Sequence, residues 1–167
     1  MKISLKNIKH LSSLSQGTYA FTADLYIDGR PVGRAKNRGD GGSTDYLPYQ
    51  GKRDIITKAE KYCESLPEIT TNFGDKSFTY KQSLETVIDS IVNDFIERKL
   101  ENDFKNKIRK AMLTGIVVGV KGASSYAVYK LPKGQTLAGL DKAKLGAFIM
   151  SVKSKLLTGE SILNTNI

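Results

Sequence analysis

The fold is decided between Thr18 and Tyr49, in the stretch TYAFTADLYIDGRPVGRAKNRGDGGSTDYLPY. Its first part alternates apolar and polar side chains with a period of two, which is typical of a strand with one buried face. The apolar set consists of Tyr19, Phe21, Ala23, Leu25 and Ile27. Asp28-Gly29 follows, a dipeptide suited to the positive φ angles of a tight turn, so the pattern predicts a β-hairpin.

The return strand of this hairpin, Val32–Asn37, has two possible registers. A two-residue turn at Asp28-Gly29 would place Val32 on the apolar face together with Arg34 and Lys36. A three-residue loop would instead turn Ala35 inward and set Arg34 opposite Asp24. We favour the three-residue loop, because it avoids the burial of two cations.

A glycine-rich loop follows the hairpin, with three glycines in four residues. Successive N–H groups in such a loop can form an anion-binding nest, and Arg38 and Lys52 could add positive charge. The alternative is a surface connection in which the glycines only allow turns. The Walker A phosphate motif is absent, since Gly51-Lys52 is followed by Arg53. The residues of the candidate partner-binding loop are Asn37, Arg38, Gly39, Asp40, Gly41, Gly42, Asp45 and Tyr46.

The hairpin and the loop together resemble a group of small uncharacterised proteins of bacteriophages and bacterial mobile elements. The resemblance lies in the run Ala20–Gly29, in Val32-Gly33, in Asn37 with its three following glycines, and in the ending Gly159–Asn164. No activity is known for the group, so the resemblance implies no residue roles. It implies a bacterial or phage setting in the cytoplasm of the host cell.

Length and composition favour one α+β domain covering residues 1–167. The chain has one cysteine, Cys63, and one histidine, His10, which excludes a Cys/His zinc site within one chain. No apolar run approaches the roughly 20 residues of a membrane span. We therefore predict no catalytic residue, no metal, no cofactor and no membrane partner.

The positive charge is concentrated in the later part of the chain. Residues 1–97 contain thirteen lysines and arginines and thirteen acids, whereas residues 98–155 contain thirteen lysines and arginines and three acids. Such asymmetry is typical of a basic surface that meets an anionic partner. The net charge of +9 therefore argues against an acidic mimic of DNA.

Periodicity predicts the remaining elements. Helical spacing of apolar residues indicates three helices, and β-branched runs indicate further strands. The predicted elements are a strand over Lys2–Lys9, a helix over Lys52–Leu66, a long helix from Leu84 to about Met112, a strand over Ile116–Val120 with a return over Ser124–Leu131, and a last helix over Asp141–Leu157 with Gly159 as its C-terminal cap. The predicted fold is a small antiparallel sheet, made of the N-terminal and C-terminal hairpins, packed against two to three helices, one of them long.

The sequence leaves two alternative structures open for each of two segments. Glu68–Tyr80 is either a loop or a short irregular hairpin, and Thr79-x-x-Gln82 resembles a capping box at the start of the long helix. The long helix exceeds the usual length, so it either breaks near Asn102 or pairs with a second copy in a homodimer.

Binding is the predicted function. The chain is interpreted as a non-enzymatic accessory protein of a phage or mobile element that engages a host protein or a nucleic acid through its basic C-terminal half and the glycine-rich loop. Basic residues beside aromatic rings suit nucleic acid, although tyrosines on a strand more often pack against the sheet. The basic candidates are Arg109, Lys110, Lys121, Lys130, Lys133, Lys142, Lys144, Lys153 and Lys155, and the aromatic candidates are Tyr126 and Tyr129. The alternative function is a small-ligand or nucleotide-binding protein that uses Gly39–Gly42.

Overall fold

The computed structural model describes residues 1–167, apart from the side chain of Phe73. The contacts divide the chain into two compact units, an N-terminal unit of Met1–Arg98 and a C-terminal unit of Lys99–Ile167. Helices and antiparallel sheets occur in separate segments, so the predicted α+β class is confirmed. The boundary between the units lies inside the longest helix, and the expectation of one domain stays a prediction.

Nine strands and three α-helices follow one another along the described chain. The N-terminal unit begins with β1 (Ile3–His10), β2 (Phe21–Ile27), β3 (Arg30–Asn37), β4 (Asp45–Pro48), α1 (Arg53–Glu64), β5 (Ile69–Phe73) and β6 (Lys76–Tyr80). The chain continues with α2 (Leu84–Thr114), β7 (Gly115–Gly119), β8 (Ala127–Lys130), α3 (Lys142–Lys153) and β9 (Ser161–Ile162). Short 3₁₀ turns lie at Ser12–Leu14 and Leu137–Gly139.

The register of the β2–β3 hairpin combines features of both predicted alternatives. Arg34 lies opposite Asp24 and Ala35 is buried, as predicted. The three-residue loop is wrong, however, because Ile27 pairs with Arg30 and leaves a two-residue turn. Asp28 and Gly29 in that turn have φ angles of 48° and 79°. A β-bulge next to Pro31 shifts the register by one residue, so Val32 faces inward without taking the cations of β3 with it.

The core of the N-terminal unit lies on one face of the four-stranded sheet β1-β2-β3-β4. The predicted apolar face of β2 is confirmed, since Phe21, Ala23, Leu25 and Ile27 are all buried. Cys63, on the apolar stripe of α1, is fully buried in the same cluster, and burial raises the pKa of its thiol. The α2 residues of this cluster are Leu84, Ile88, Val92 and Ile96. The cluster gathers β2, β3, α1 and the first part of α2 around one core.

The segment Glu68–Tyr80 forms a hairpin, β5–β6, with a turn at Gly74-Asp75. The cap of α2 differs from the predicted one. Ser83 Oγ accepts a hydrogen bond from the Thr86 N–H at 3.1 Å, and Thr86 Oγ1 accepts one from the Ser83 N–H at 2.8 Å. This reciprocal pair is a capping box. The Thr79–Gln82 prediction is therefore wrong, and Gln82 instead donates to the carbonyl of Pro67 at 2.7 Å.

The C-terminal unit has its own sheet, in the order β8-β7-β9, and its own core. The two hairpins therefore belong to different sheets, which corrects the prediction of one small sheet. Ile116 and Val118 of β7 pack with Leu137 and with Val152 of α3. The last helix ends at Lys153, earlier than predicted, because residues 154–155 already form a turn. Gly159 (φ 86°) lies in a later turn and does not cap α3.

The long helix is continuous over its 31 residues, which rules out the first alternative, a break near Asn102, while pairing in a homodimer stays a prediction. The predicted apolar residues wind gradually around the helix, because a spacing of four residues exceeds one turn of 3.6. The fully buried ones, Leu84, Ile88, Val92 and Ile96, all lie before residue 97. Among the described helices, none is both long enough and apolar enough to cross a bilayer.

Candidate partner-binding surfaces

Asn37 organises the glycine-rich loop from inside. The residue is only 8% exposed, and its side chain makes four hydrogen bonds. Oδ1 accepts from the Thr18 hydroxyl at 2.9 Å and from the Gly39 N–H at 2.8 Å. Nδ2 donates to the Gly42 carbonyl and to the Thr44 hydroxyl, both at 3.0 Å. Asn37 is therefore a structural residue and does not present its amide to a partner.

Position 39 requires glycine for two reasons, its positive φ angle and the lack of room for a Cβ atom. Its φ is 86°, and an added Cβ would collide with the Leu14 carbonyl oxygen and lie 2.7 Å from the Ala20 Cβ. The Gly39 carbonyl also accepts from the N–H groups of Gln16 and Gly17 at 2.8 and 3.0 Å. These bonds fix the loop against the segment that precedes β2.

The N–H groups of all three glycines are used inside the protein. The Gly39 N–H donates to Asn37, the Gly41 N–H to the Thr18 hydroxyl at 3.3 Å, and the Gly42 N–H to Asp40 Oδ1 at 3.1 Å. An anion nest needs several such groups free and converging. The observed bonds argue against a nest at Gly39–Gly42, and with it against the small-ligand alternative.

The surroundings of the loop are acidic. Glu85 accepts a hydrogen bond from the Thr44 N–H at 2.8 Å, and Asp89 accepts one from the Thr44 hydroxyl at 2.6 Å. Within the described part of the chain, neither carboxylate has a cation within 4 Å. Burial raises the pKa of Asp89, the Thr44 hydroxyl lowers it, and Glu85 raises it further. A pocket of about 370 Å³ with a mixed polar and apolar lining, which includes Asp89 and Asn37, lies here, and the Asp89 carboxylate disfavours an anion in it.

The other loop candidates divide between surface and packing. Arg38, Asp40, Gly41, Gly42 and Asp45 are exposed. Asp45 lies 3.7 Å from the ammonium of Lys36. Tyr46 is half-buried on β4, and its hydroxyl donates to Glu60 Oε1 at 3.0 Å. Burial and the Glu60 carboxylate raise the pKa of Tyr46 to about 12. The exposed members are those at which a partner can touch the loop.

The C-terminal unit carries the excess of cations. It has twelve lysines and arginines against four acids, while the N-terminal unit has fourteen against thirteen. All twelve cations are exposed. Two of them, Lys105 and Lys144, pair with Glu101 and Asp141 at 2.7 and 3.1 Å. The other ten have no carboxylate within 4 Å in the described structure.

The basic candidates are all exposed, but they do not share one side of α3. Lys142 and Lys153 are eleven residues apart, about three helical turns, and so lie on the same side. Lys144, two residues from Lys142, lies on roughly the opposite side of the helix. The buried stripe of α3 runs between these two sides. The remaining candidates come from α2, β8 and loops, and they are Arg109, Lys110, Lys121, Lys130, Lys133 and Lys155.

Both candidate tyrosines are engaged in packing. Tyr126 is half-buried and makes an edge contact with Phe104, with ring centroids 5.5 Å apart at 64°. Tyr129 lies opposite Ile116 in the sheet, packs on the core of the C-terminal unit, and has the Lys155 ammonium 5.8 Å above its ring. Neither ring stands free as a stacking platform.

A groove in the C-terminal unit escaped the sequence reasoning. It measures about 700 Å³ and lies between the later part of α2 and the loop after β7. Its lining includes Leu100, Phe104, Ile108 and Met112 from α2, with Val120 and Leu163. The sequence signal was present, since these α2 residues continue the predicted apolar stripe, but a stripe does not reveal whether anything covers it.

Among the described side chains, no three His, Cys, Asp or Glu residues come close enough together to form a metal site. Comparison of the chain with protein-family models, with curated proteins and with solved structures finds no match. The resemblance to phage and mobile-element proteins therefore stays a prediction.

Proposed function

We propose that this chain is a non-enzymatic accessory protein of a phage or mobile element that binds an anionic macromolecule of the bacterial host, a nucleic acid or an acidic protein. The contact surface in this proposal is the C-terminal unit, and the exposed Arg38 of the glycine-rich loop is a secondary contact. The proposed setting is the cytoplasm of the host cell, where the lone Cys63 stays reduced.

One observation carries the proposal: ten exposed cations of the C-terminal unit have no carboxylate partner in the described structure. Where a fold uses its charges for stability or solubility, both signs are interspersed on the surface. The N-terminal unit has that balance, and the C-terminal unit does not. A local surplus of cations raises the concentration and the association rate of polyanions near that surface.

The test is titration of labelled single-stranded DNA, duplex DNA and polyglutamate by fluorescence anisotropy across a salt series. Two charge-matched variants decide where the contact lies. One carries Lys110→Gln, Lys130→Gln, Lys142→Gln and Lys153→Gln in the C-terminal unit. The other carries Lys58→Gln, Lys61→Gln, Lys76→Gln and Lys81→Gln in the N-terminal unit. All eight lysines are exposed, and each variant lowers the net charge from +9 to +5.

The C-terminal variant is expected to bind more weakly and with a smaller salt slope, since each lost phosphate contact removes about 0.7 from the slope for a single strand. The N-terminal variant is expected to bind like the unaltered protein. Equal weakening in both variants would show a response to net charge alone and would contradict a specific basic surface. Absence of binding to all three probes at about 50 mM salt would remove the proposed function.

A further inference from the structure

The groove of the C-terminal unit has an apolar floor that its own core does not use. Leu100, Phe104, Ile108 and Met112 recur every four residues on one face of α2. None of them belongs to either buried cluster of the described residues. Leu100 is 58% exposed, and the other three are half-buried. An apolar floor in a concave surface of this size is typical of a site for another apolar group.

The dimensions of the floor fit a helix. From Leu100 to Met112 the axis of α2 advances by about 18 Å, at 1.5 Å for each residue. That length corresponds to roughly three turns of a bound helix, whose apolar residues would recur at i, i+3, i+4 and i+7. The second wall of the groove is formed by Val120, residues 122–125, Leu163 and Thr165.

The charges at the groove favour an acidic occupant. Glu101 is the acid in its lining, and it is already paired with Lys105 at 2.7 Å. Arg109 also lines the groove, and its guanidinium has no carboxylate within 4 Å in the part of the chain that the structure describes. The surrounding unit has twelve cations against four acids. A second copy of this chain would bring two such basic surfaces together, which repulsion disfavours.

The chemistry of the floor favours a protein over a nucleic acid. Bases bind on aromatic faces, whereas most of the floor is aliphatic or thioether, in Leu100, Ile108 and Met112, and Leu163 adds an aliphatic side chain opposite. The ring of Phe104 is engaged by Tyr126. Apolar side chains of a peptide match these surfaces better than bases do.

We propose that this groove binds an acidic amphipathic helix of a partner protein, with the apolar face of that helix on Leu100–Met112 and its carboxylates toward Arg109. This inference rests on the proposed function, because it selects an acidic protein as the anionic macromolecule. It adds a shape requirement, since charge alone would accept any polyanion.

The probe is a labelled synthetic peptide of about 14 residues, four helical turns, with leucines at i, i+3, i+4, i+7 and i+11 and mostly glutamate elsewhere. Two control peptides separate pattern from charge: a scrambled peptide of the same composition, and a peptide in which lysine replaces glutamate. The patterned acidic peptide is expected to bind the full chain, and both controls are expected to bind at least tenfold more weakly.

Two leucines of α2 provide a matched pair of variants. Leu100 and Leu113 are each 58% exposed on the same helix, but only Leu100 lines the groove. Leu100→Gln is expected to lower the affinity for the patterned peptide about tenfold, as for the loss of one buried leucine. Leu113→Gln is expected to bind the peptide as tightly as the unaltered protein does. Because both side chains are largely exposed, both variants are expected to fold, which circular dichroism checks.

A second pair tests the charge. Arg109→Gln, at the groove, is expected to lower the affinity for the acidic peptide several-fold and to reduce the salt dependence of binding. Lys99→Gln removes the same charge from the same helix outside the groove lining, and is expected to have little effect.

Several outcomes would overturn the groove assignment. The scrambled peptide binding as tightly as the patterned one, with Leu100→Gln having no effect, would leave the proposed function intact and remove the groove. Loss of single-stranded DNA binding in Leu100→Gln, without any peptide binding, would make nucleic acid the occupant. A dimer in light scattering that Leu100→Gln abolishes would make a second copy the occupant. Failure of every polyanion to bind would remove the proposed function as well.

Discussion

The hydroxyl of Thr44 donates a 2.6 Å hydrogen bond to the carboxylate of Asp89, and this bond ties the end of the glycine-rich loop to α2. The same hydroxyl accepts from Asn37 Nδ2 at 3.0 Å. A chain of polar contacts thus runs from β3 through the loop to the helix, in a place where Asn37 and Thr44 are both buried. The loop is held as part of the N-terminal unit, so its substitution should affect stability.

Asn37→Ala is expected to lower the free energy of unfolding by about 3 kcal/mol, because it leaves several donors and acceptors without partners at about 1–3 kcal/mol each. Urea denaturation followed by circular dichroism measures the loss. Asn102→Ala, at an exposed position on α2, is the control and should change stability by no more than about 0.5 kcal/mol. Equal stabilities of the two variants would contradict the structural role of Asn37.

Gly39 and Gly41 are expected to respond differently to alanine, although both have φ near 90°. At Gly41 an added Cβ meets nothing within 4 Å, so Gly41→Ala should cost only the left-handed strain of about 1–2 kcal/mol. At Gly39 the Cβ also collides with the Leu14 carbonyl. Gly39→Ala should therefore cost clearly more than Gly41→Ala, or prevent folding. Denaturation midpoints of the two variants measure this difference, and similar midpoints would mean that the loop adjusts freely.

Asp89 should make stability depend on pH. Burial is the main cause of its raised pKa, so the folded protein holds the Asp89 proton more tightly than the unfolded chain does. The resulting stabilisation is fully present below the ordinary carboxyl pKa of 3.8 and is lost as the pH rises through the raised value. Asp89→Asn cannot lose it, so the stability of this variant relative to the unaltered protein should increase as the pH rises from about 3 to 7.

Urea denaturation at a series of pH values gives this comparison. Asp94→Asn, at an exposed position of the same helix, removes the same charge and controls for the change in net charge. A difference between Asp89→Asn and the unaltered protein that stays constant with pH, or that decreases, would contradict the assignment.

Ser83 is expected to matter more for α2 than Thr79. Ser83→Ala removes the acceptor for the Thr86 N–H and should cost about 1 kcal/mol, as is usual for an N-cap. Thr79→Ala, in the strand before it, should cost no more than about 0.5 kcal/mol. Thermal unfolding followed at 222 nm ranks the two variants. The reverse order would restore the Thr79–Gln82 box that the sequence suggested.

Local sequence patterns predicted the helices and strands well, because these elements depend mainly on residues that are close in sequence. The alternation around Phe21 is sufficient to identify β2, and the helical spacing around Cys63 is sufficient to identify α1. The β3 register was predicted correctly in its Asp24–Arg34 pair but for the wrong reason, since no residue pattern reveals a bulge that follows a two-residue turn.

The candidate sites were less predictable because they depend on distant contacts. The role of Asn37 follows from Thr18 and Gly42, whose approach only the folded loop shows. The groove exists because the apolar side chains in the later part of α2 are left partly uncovered in the described structure. Residue type does not separate the core positions of this helix from its groove positions, since Ile88 is fully buried and Ile108 is not. The two residues are twenty positions apart, about 200° around the helix, so they face nearly opposite sides.

Asn164 is expected to hold the C-terminal tail in place, because β9 itself contributes only two paired residues. The Asn164 Oδ1 accepts from the Val117 N–H at 2.7 Å, and its Nδ2 donates to the Gly115 carbonyl at 3.2 Å. Asn164→Ala removes both bonds and leaves a buried N–H without its partner, so a loss of about 1–3 kcal/mol is expected. Hydrogen exchange should also become faster at Val117 and at Leu163, whose N–H donates to the Val117 carbonyl.

Asn166→Ala separates this local role from a general effect of the tail. Asn166 is exposed, donates to the Met112 carbonyl at 2.9 Å and accepts from Asn164 Nδ2 at 3.0 Å. It makes no bond to the Val117 N–H, which donates to Asn164 Oδ1, so Asn166→Ala should leave the amide of Val117 protected. If Val117 exchanged at the same slow rate in Asn164→Ala as in the unaltered protein, the tail would be held by the β9 pairing and by the packing of Leu163. The distinction bears on the groove, because Leu163 forms part of its wall and would move with the tail.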